Sequence, residues 1–435
     1  MKPQGLLVSA ALLAVLGGLV WWSNKKQDAA AKAGDTTTVK ILNIPEDQFQ
    51  EIDIKKLTGE TLHLSRDGGK WRLTAPTALP ADQDAVSSMV STLGTLNADK
   101  VVEDNATDLQ PYGLKIPTLE VEIKRKDGKS DKLLIGDDTP TGSGAYAKLP
   151  NDPRVFSIGS SGKTALDKRV DDLRDKRLLT FDQDKLTRVE LEAKGQTIEF
   201  GKNSAGEWQI VKPRPLRADS SAVNTLVDKL RDTKMDVLAT DDAAKAFASG
   251  TRVAVVSVTD AGGNQSIEIR KDKDKNTYAK STAVTGVFKI GTDGGEAFDK
   301  GLDDFRNKKL FDFGFSDPSK VELKGVVYAK DGDKWKSGGK TMDNSTVQTL
   351  IDKLRDLTAT KFADKQGGEP VFEATVTSNS GKRTEKVTIR KQGTQYFAQR
   401  ENEPSIYELD GATVDALIKA AADVKEAAPE PPKKK

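Results

Sequence analysis

Apolar residues follow three patterns along the chain. Residues 5–22, GLLVSAALLAVLGGLVWW, form one uncharged run whose single polar side chain is Ser9. Eighteen helical residues cover about 27 Å at 1.5 Å each, enough to cross a bilayer. The run predicts a transmembrane anchor over residues 1–26, with Lys2 before it and Trp21, Trp22, Lys25 and Lys26 as an interfacial belt behind it. A cleaved signal peptide is the competing reading, with Ala31-Lys32-Ala33 as its cleavage site, but the run exceeds the usual apolar core of about 7–15 residues. Residues 27–38 read as a short tether, and residues 426–435, ending in PEPPKKK, as a disordered tail.

The other two patterns, helical spacing and strict alternation, recur in three copies. Trp71, Trp208 and Trp335 stand in equivalent contexts, each followed by an Asp and then by apolar residues at i, i+3, i+4, i+7. The copies run Asp82 then Val86, Met89, Val90, Leu93; Asp219 then Val223, Leu226, Val227, Leu230; and Asp343 then Val347, Leu350, Ile351, Leu354. This spacing predicts three amphipathic helices, each capped by its Asp. Alternating runs with Gly-containing turns follow each helix, as in AVVSVTDAGGNQSIEIR, and predict hairpins. A second helix closes each unit, with Leu166, Val170 and Leu173 in the first copy and Phe298, Leu302 and Phe305 in the second. The third offers Val414, Ile418 and Ala421, a weaker face. Strands grouped in hairpins give an α+β class. The expected divisions are residues 39–182, 183–314 and a divergent 315–425. The three Trp are read as packing residues at strand–helix junctions.

Composition removes several functions. With 68 Lys+Arg against 66 Asp+Glu, no field of either sign favours nucleic acid. The absence of Cys excludes disulfides and thiolate metal sites. Gly159-Ser160-Ser161-Gly162-Lys163-Thr164 imitates a phosphate loop but has Ser157 where the first Gly belongs, and the other copies lack its Lys. Ser160 and Lys163 also form an S-x-x-K pair without the companion motifs of a hydrolase. His63 alternates with Leu62 and Leu64, which turns it away from the face they bury. Asp272, Asp274 and Asn276 start like a calcium loop, but Thr277 and Ala283 replace its Gly and Glu. No catalytic residue, cofactor, nucleotide or metal ligand is assigned.

Several features together resemble the bacterial domain of unknown function 4340. These are the anchor, the W-x-[LI]-x-x-P strand ends after Trp71 and Trp208, the Ala-Asp helix starts, Tyr112-Gly113-Leu114-x-x-Pro117 and Leu173-Arg174-Asp175-Lys176. The third copy lacks the Pro after Trp335 and the basic helix end. The resemblance implies a single-pass protein of the cytoplasmic (inner) membrane with its bulk outside the cytoplasm. It also implies an association with ABC-type transport components similar to gliding-motility auxiliary proteins, hence a permease or auxiliary subunit as partner. The expected role is a non-enzymatic accessory. The alternatives are a receptor for an envelope polymer or polysaccharide and, less favoured, a Ser/Lys hydrolase. Tyr112, Arg174 and Arg306 are the candidate partner surface, the two Arg also being suited to helix C-termini.

The anchor carries a direct test. Full-length protein is expected to stay with membranes through high-salt and carbonate washing, whereas a chain starting near Asp35 is soluble. Recovery of the full-length product as a soluble species beginning after Ala33 would establish the signal peptide instead.

Overall fold

A computed structural model describes residues 39–236, 242–314 and 318–428. The expected anchor, the tether and the end of the tail lie outside the described residues, and among those described no helix is long and apolar enough to cross a membrane. The chain divides into two compact units, one ending at Lys176 and the other beginning at Arg177. The first holds one antiparallel sheet and the second holds two, so the class is α+β with three sheets.

Each sheet is two meanders joined through their first strands. In the first, Phe49–Lys56, Thr61–Asp67, Lys70–Ala75 and Leu79–Pro80 run outward to one edge. Leu119–Arg125, Ser130–Asp138, Gly144–Lys148 and Val155–Gly159 run outward to the other, where Lys100–Glu103 is added. The third sheet repeats this order and the second does so without the added edge strand among the described residues, and the seam between meanders sets Ile52 opposite Ile123, Leu191 opposite Val256 and Val321 opposite Val376. Alternation sends these residues to the buried face, while the other face carries cross-strand charge pairs such as Lys124–Glu51 (2.7 Å) and Lys386–Glu373 (3.2 Å).

The first helix of each repeat, Gln83–Gly94, Ser220–Asp232 and Asn344–Arg355, buries every apolar position expected from its spacing. Asp82, Asp219 and Asp343 cap these helices, each carboxylate accepting from the backbone N–H groups two and three residues on. The same residues tie the repeat shut. Their own N–H groups donate to Leu173 O (2.8 Å), Phe305 O (2.8 Å) and Lys425 O (2.9 Å), where the chain returns at the end of each unit. Past the helix, the opposite end holds the incoming chain: Ile41 N–H bonds Leu96 O, Leu178 N–H bonds Thr233 O, and Leu310 N–H bonds Leu357 O.

Three expectations change. The second helix is not continuous in the first two copies. Ser160–Leu166 stops at Asp167 (φ −79°, ψ 67°) and Thr292–Phe298 at Asp299 (φ −79°, ψ 63°). Each Asp is the centre of an inverse γ-turn, Lys168 N–H bonding Leu166 O and Lys300 N–H bonding Phe298 O (both 2.9 Å). Leu173 and Phe305 still reach the core, each beyond that bend. The third copy, with the weakest sequence face, has the unbroken helix, Gly411–Ala422, and its buried face is Val414, Leu417 and Ala420. Finally, the divisions expected at 182/183 and 314/315 fall too late in the chain: the first compact unit ends at Lys176, and the passage into the third repeat lies at Asn307–Lys308. Leu178, Leu179 and Phe181 belong to the second core and Leu310 and Phe311 to the third, and Glu426 still pairs with Met342 past the expected limit of 425.

Trp71, Trp208 and Trp335 are 4–5% exposed, each at the start of a strand beside the capped helix. Removing the Trp208 ring should cost about 3–5 kcal/mol, and removing the Asp219 cap about 1 kcal/mol. Thermal melts of full-length Trp208→Ala and Asp219→Ala are expected to fall in that order. An unchanged melt for Trp208→Ala would contradict the packing role.

Candidate functional site: the charged junction of the second and third repeats

Within the second unit the chain passes from one repeat to the next without a linker. Asn307 N–H still bonds Arg217 O in the second repeat (3.0 Å), while Lys308 O accepts from Ala359 N–H in the third (2.9 Å). The apolar cores on either side remain separate, the second ending with Phe305 and the third beginning with Leu310. What spans the junction is charge.

The charge grows out of a device common to both repeats. In the second, the incoming strand is pinned by Gln265, which accepts from Thr180 N–H (2.8 Å), and by the Ser281 hydroxyl, which donates to Leu178 O. In the third, ionised groups take these places: Glu385 accepts from Asp312 N–H (2.9 Å) and Arg400 Nη1 donates to Leu310 O (2.7 Å). Arg400 also pairs with Glu385 and Glu403, both at 2.8 Å. Glu385 is buried, with 4% of its side chain exposed, and is matched by a guanidinium and a backbone donor.

Arg217 reaches into this cluster from the second repeat. It pairs with Asp312, donates to Lys309 O (2.9 Å) and lies 3.5 Å from Glu403. Burial works against its charge, but the Asp312 and Glu403 carboxylates outweigh that and hold its pKa above the ordinary value. Tyr407 donates to Glu403 Oε2 (2.8 Å), and burial followed by that carboxylate pushes the phenol up to about 12. Arg383 crosses in the other direction, donating to Asp312 O and to Glu207 Oε1, both at 2.8 Å. Asn203 and then Arg383 hold the Glu207 carboxyl below its usual range. A cleft of about 680 Å³ lies here, lined by Trp208, Ser221, Lys308, Arg383 and Thr384 among others. Its carboxylates are engaged: Asp219 caps a helix, and Glu207, Asp312 and Glu385 each face a guanidinium. The geometry is that of two bodies holding each other, with the charges already paired.

The residues expected to form a partner surface each have partners within the protein. Tyr112 donates to Glu103 (2.6 Å) and sets its ring edge-on to Tyr146 at 5.0 Å; that hydrogen bond and then burial raise its pKa. Arg174 bridges to Ala81 at the closure of the first repeat and lies 3.8 Å from Asp171. Arg306 is buried within the junction. Its guanidinium carbon is 3.3 Å from the centroid of the Phe362 ring, and its nitrogens bond Asp303 (2.9 Å) and Ser405 (3.0 Å). It is therefore an internal contact of the second unit rather than an outward surface.

The imitated motifs have local explanations. Lys163 pairs with Asp138 (2.6 Å), and His63 Nδ1 lies 2.6 Å from Asp53 across the strand pair. Asp272 organises a hairpin turn, accepting from Asp274 N–H, Asn276 and the Tyr278 hydroxyl. Among the described residues no group of three or more His, Asp or Glu is placed to hold a metal ion. Sequence reasoning missed Arg217, Asp312, Glu385, Arg400, Glu403 and Tyr407. One signal was present: Arg217 stands two residues before its cap, where the other copies have Pro80 and Thr341.

Tyr407 gives the junction an alkaline signature. A tyrosine in the unfolded chain ionises near pH 10 and Tyr407 in the fold near 12, so between these values only the unfolded state loses the proton and stability falls as pH rises. The loss amounts to about 2 kcal/mol over that window. Tyr407→Phe is expected to show a shallower decline of melting temperature above about pH 10 than the parent chain. Equal slopes would mean that the phenol ionises normally.

The family model described as Domain of unknown function (DUF4340) matches the chain twice, over residues 71–250 and 208–374. The matches begin at Trp71 and Trp208, and each runs through one closure into the following repeat. No curated protein and no solved structure matches the chain significantly. Together the two matches span residues 71–374, well over half of the chain, and the protein belongs to the DUF4340 family.

Proposed function

We propose that this protein is a membrane-anchored, extracytoplasmic accessory of an ABC-type transport system, working by contact rather than by chemistry. The observation that carries the reading is the threefold unit whose best-formed cleft has its carboxylates already engaged, Asp219 in a helix cap and Glu207, Asp312 and Glu385 each with a guanidinium. The uncharged run over residues 5–22 supports attachment to the cytoplasmic membrane, and the transport association follows from the family resemblance. A permease or auxiliary subunit is the proposed partner. Polymer binding through the tryptophans is not favoured, because all three rings are buried. Exposed apolar tips offer contact points: Leu57 is 61% and Ile116 68% exposed, and Leu57 N–H bonds Thr118 O, two residues past Ile116.

A membrane-impermeant, lysine-reactive crosslinker applied to spheroplasts tests both side and partner. The repeats are expected to react from outside and to be recovered joined to an integral transport subunit. Reaction only after the membrane is opened would overturn the extracytoplasmic placement. Reaction without any transport subunit would overturn the accessory role.

A further inference from the structure

We infer that the junction between the second and third repeats is an electrostatic latch, which holds the third repeat closed through Arg217 and Arg306 and releases it about the Asn307–Lys308 link when the Arg217 ion pairs with Asp312 and Glu403 are broken. Four observations lead there. The two apolar cores are separate, so no continuous buried surface welds the repeats. The side-chain contacts across the junction are polar or charged: Arg217 to Asp312, Glu403 and the Tyr407 hydroxyl, Arg383 to Glu207, and Arg306 to Ser405 and the Phe362 ring. The connecting backbone is short, Asn307 bonding one repeat and Lys308 the other, so separation requires rotation about this link and no unfolding of either sheet. Lastly, each repeat keeps its own helix, cap and closing hydrogen bond on its own side of the link.

Arg217 is the keystone because of what surrounds it. Asp312 and Glu403 both face it, and Arg400 is shared between Glu403 and Glu385. Replacing Arg217 by a neutral side chain leaves more carboxylate than guanidinium in a half-buried space, a cost relieved by letting water in. Opening would uncover Arg306, which the closed form buries against Phe362 and Ser405 of the third repeat. The latch therefore decides whether that face is available.

The chain has no cysteine, so spin labels can be placed without background. Ser204 and Ser380 are exposed and lie in the turns that precede Glu207 and Arg383, one on each side of the junction. Full-length Ser204→Cys/Ser380→Cys protein in detergent is expected to give one narrow distance distribution. Adding Arg217→Met should lengthen and broaden it with the far-ultraviolet circular dichroism unchanged. Adding Asp312→Asn and Glu403→Gln to Arg217→Met removes the surplus negative charge and should narrow the distribution again. A narrow distribution in Arg217→Met would overturn the latch, as would loss of its circular dichroism. A triple variant as broad as Arg217→Met would overturn it too, because opening would then reflect lost packing and not charge.

Discussion

Each repeat depends on how one aspartate satisfies the start of its helix. A helix leaves its first N–H groups without internal partners, and Asp82, Asp219 and Asp343 answer two of them with a carboxylate, while each residue's own carbonyl accepts the first intrahelical bond. The same residue's N–H reaches the returning end of the chain, so capping the helix and closing the unit are one event. The apolar stripe of the helix is thereby set against the alternating face of the sheet. The buried tryptophan fills the strand beside it.

Between repeats the forces change character. Inside each unit, burial of aliphatic and aromatic side chains dominates, and a non-directional force of that kind tolerates small shifts. At the second junction the contacts are guanidinium–carboxylate pairs, which demand particular positions and whose desolvation offsets much of their attraction. Such a network contributes less to raw stability than to specifying one arrangement. The substitution of Glu385 and Arg400 for the neutral pins Gln265 and Ser281 is what equips the third repeat to receive Arg217.

Much of the fold was legible because it rests on local periodicity. The three capped helices and the hairpins follow from spacings of 3.6 and 2, and each apolar position named for the first helices is buried. The bends at Asp167 and Asp299 were not legible, since Leu166 and Leu173 keep helical spacing across a γ-turn that only backbone geometry reveals. Leu178 and Leu310 fall with the preceding repeats in the sequence because their partners, Thr233 and Leu357, are far along the chain. The charged junction was hidden for a similar reason. Arg217, Asp312 and Glu403 look like solvated surface until the fold brings them together, and only a comparison of the copies marks Arg217 as unshared.

The tryptophan that opens each family match has a consequence for what counts as a module. A segment cut at Trp208 keeps the strand Trp208–Lys212 but discards its neighbour Gln196–Lys202 and the seam strand Arg188–Ala193, so it begins with a sheet that lacks two of its eight strands. Ending at Ala374, it stops inside the strand Glu369–Ser378 of the next. The stretch that recurs in the family and the stretch that buries a complete core are thus out of phase, by two strands at the Trp208 start. A covalent boundary drawn from recurrence severs the hydrogen-bonded ladders on which independent folding depends.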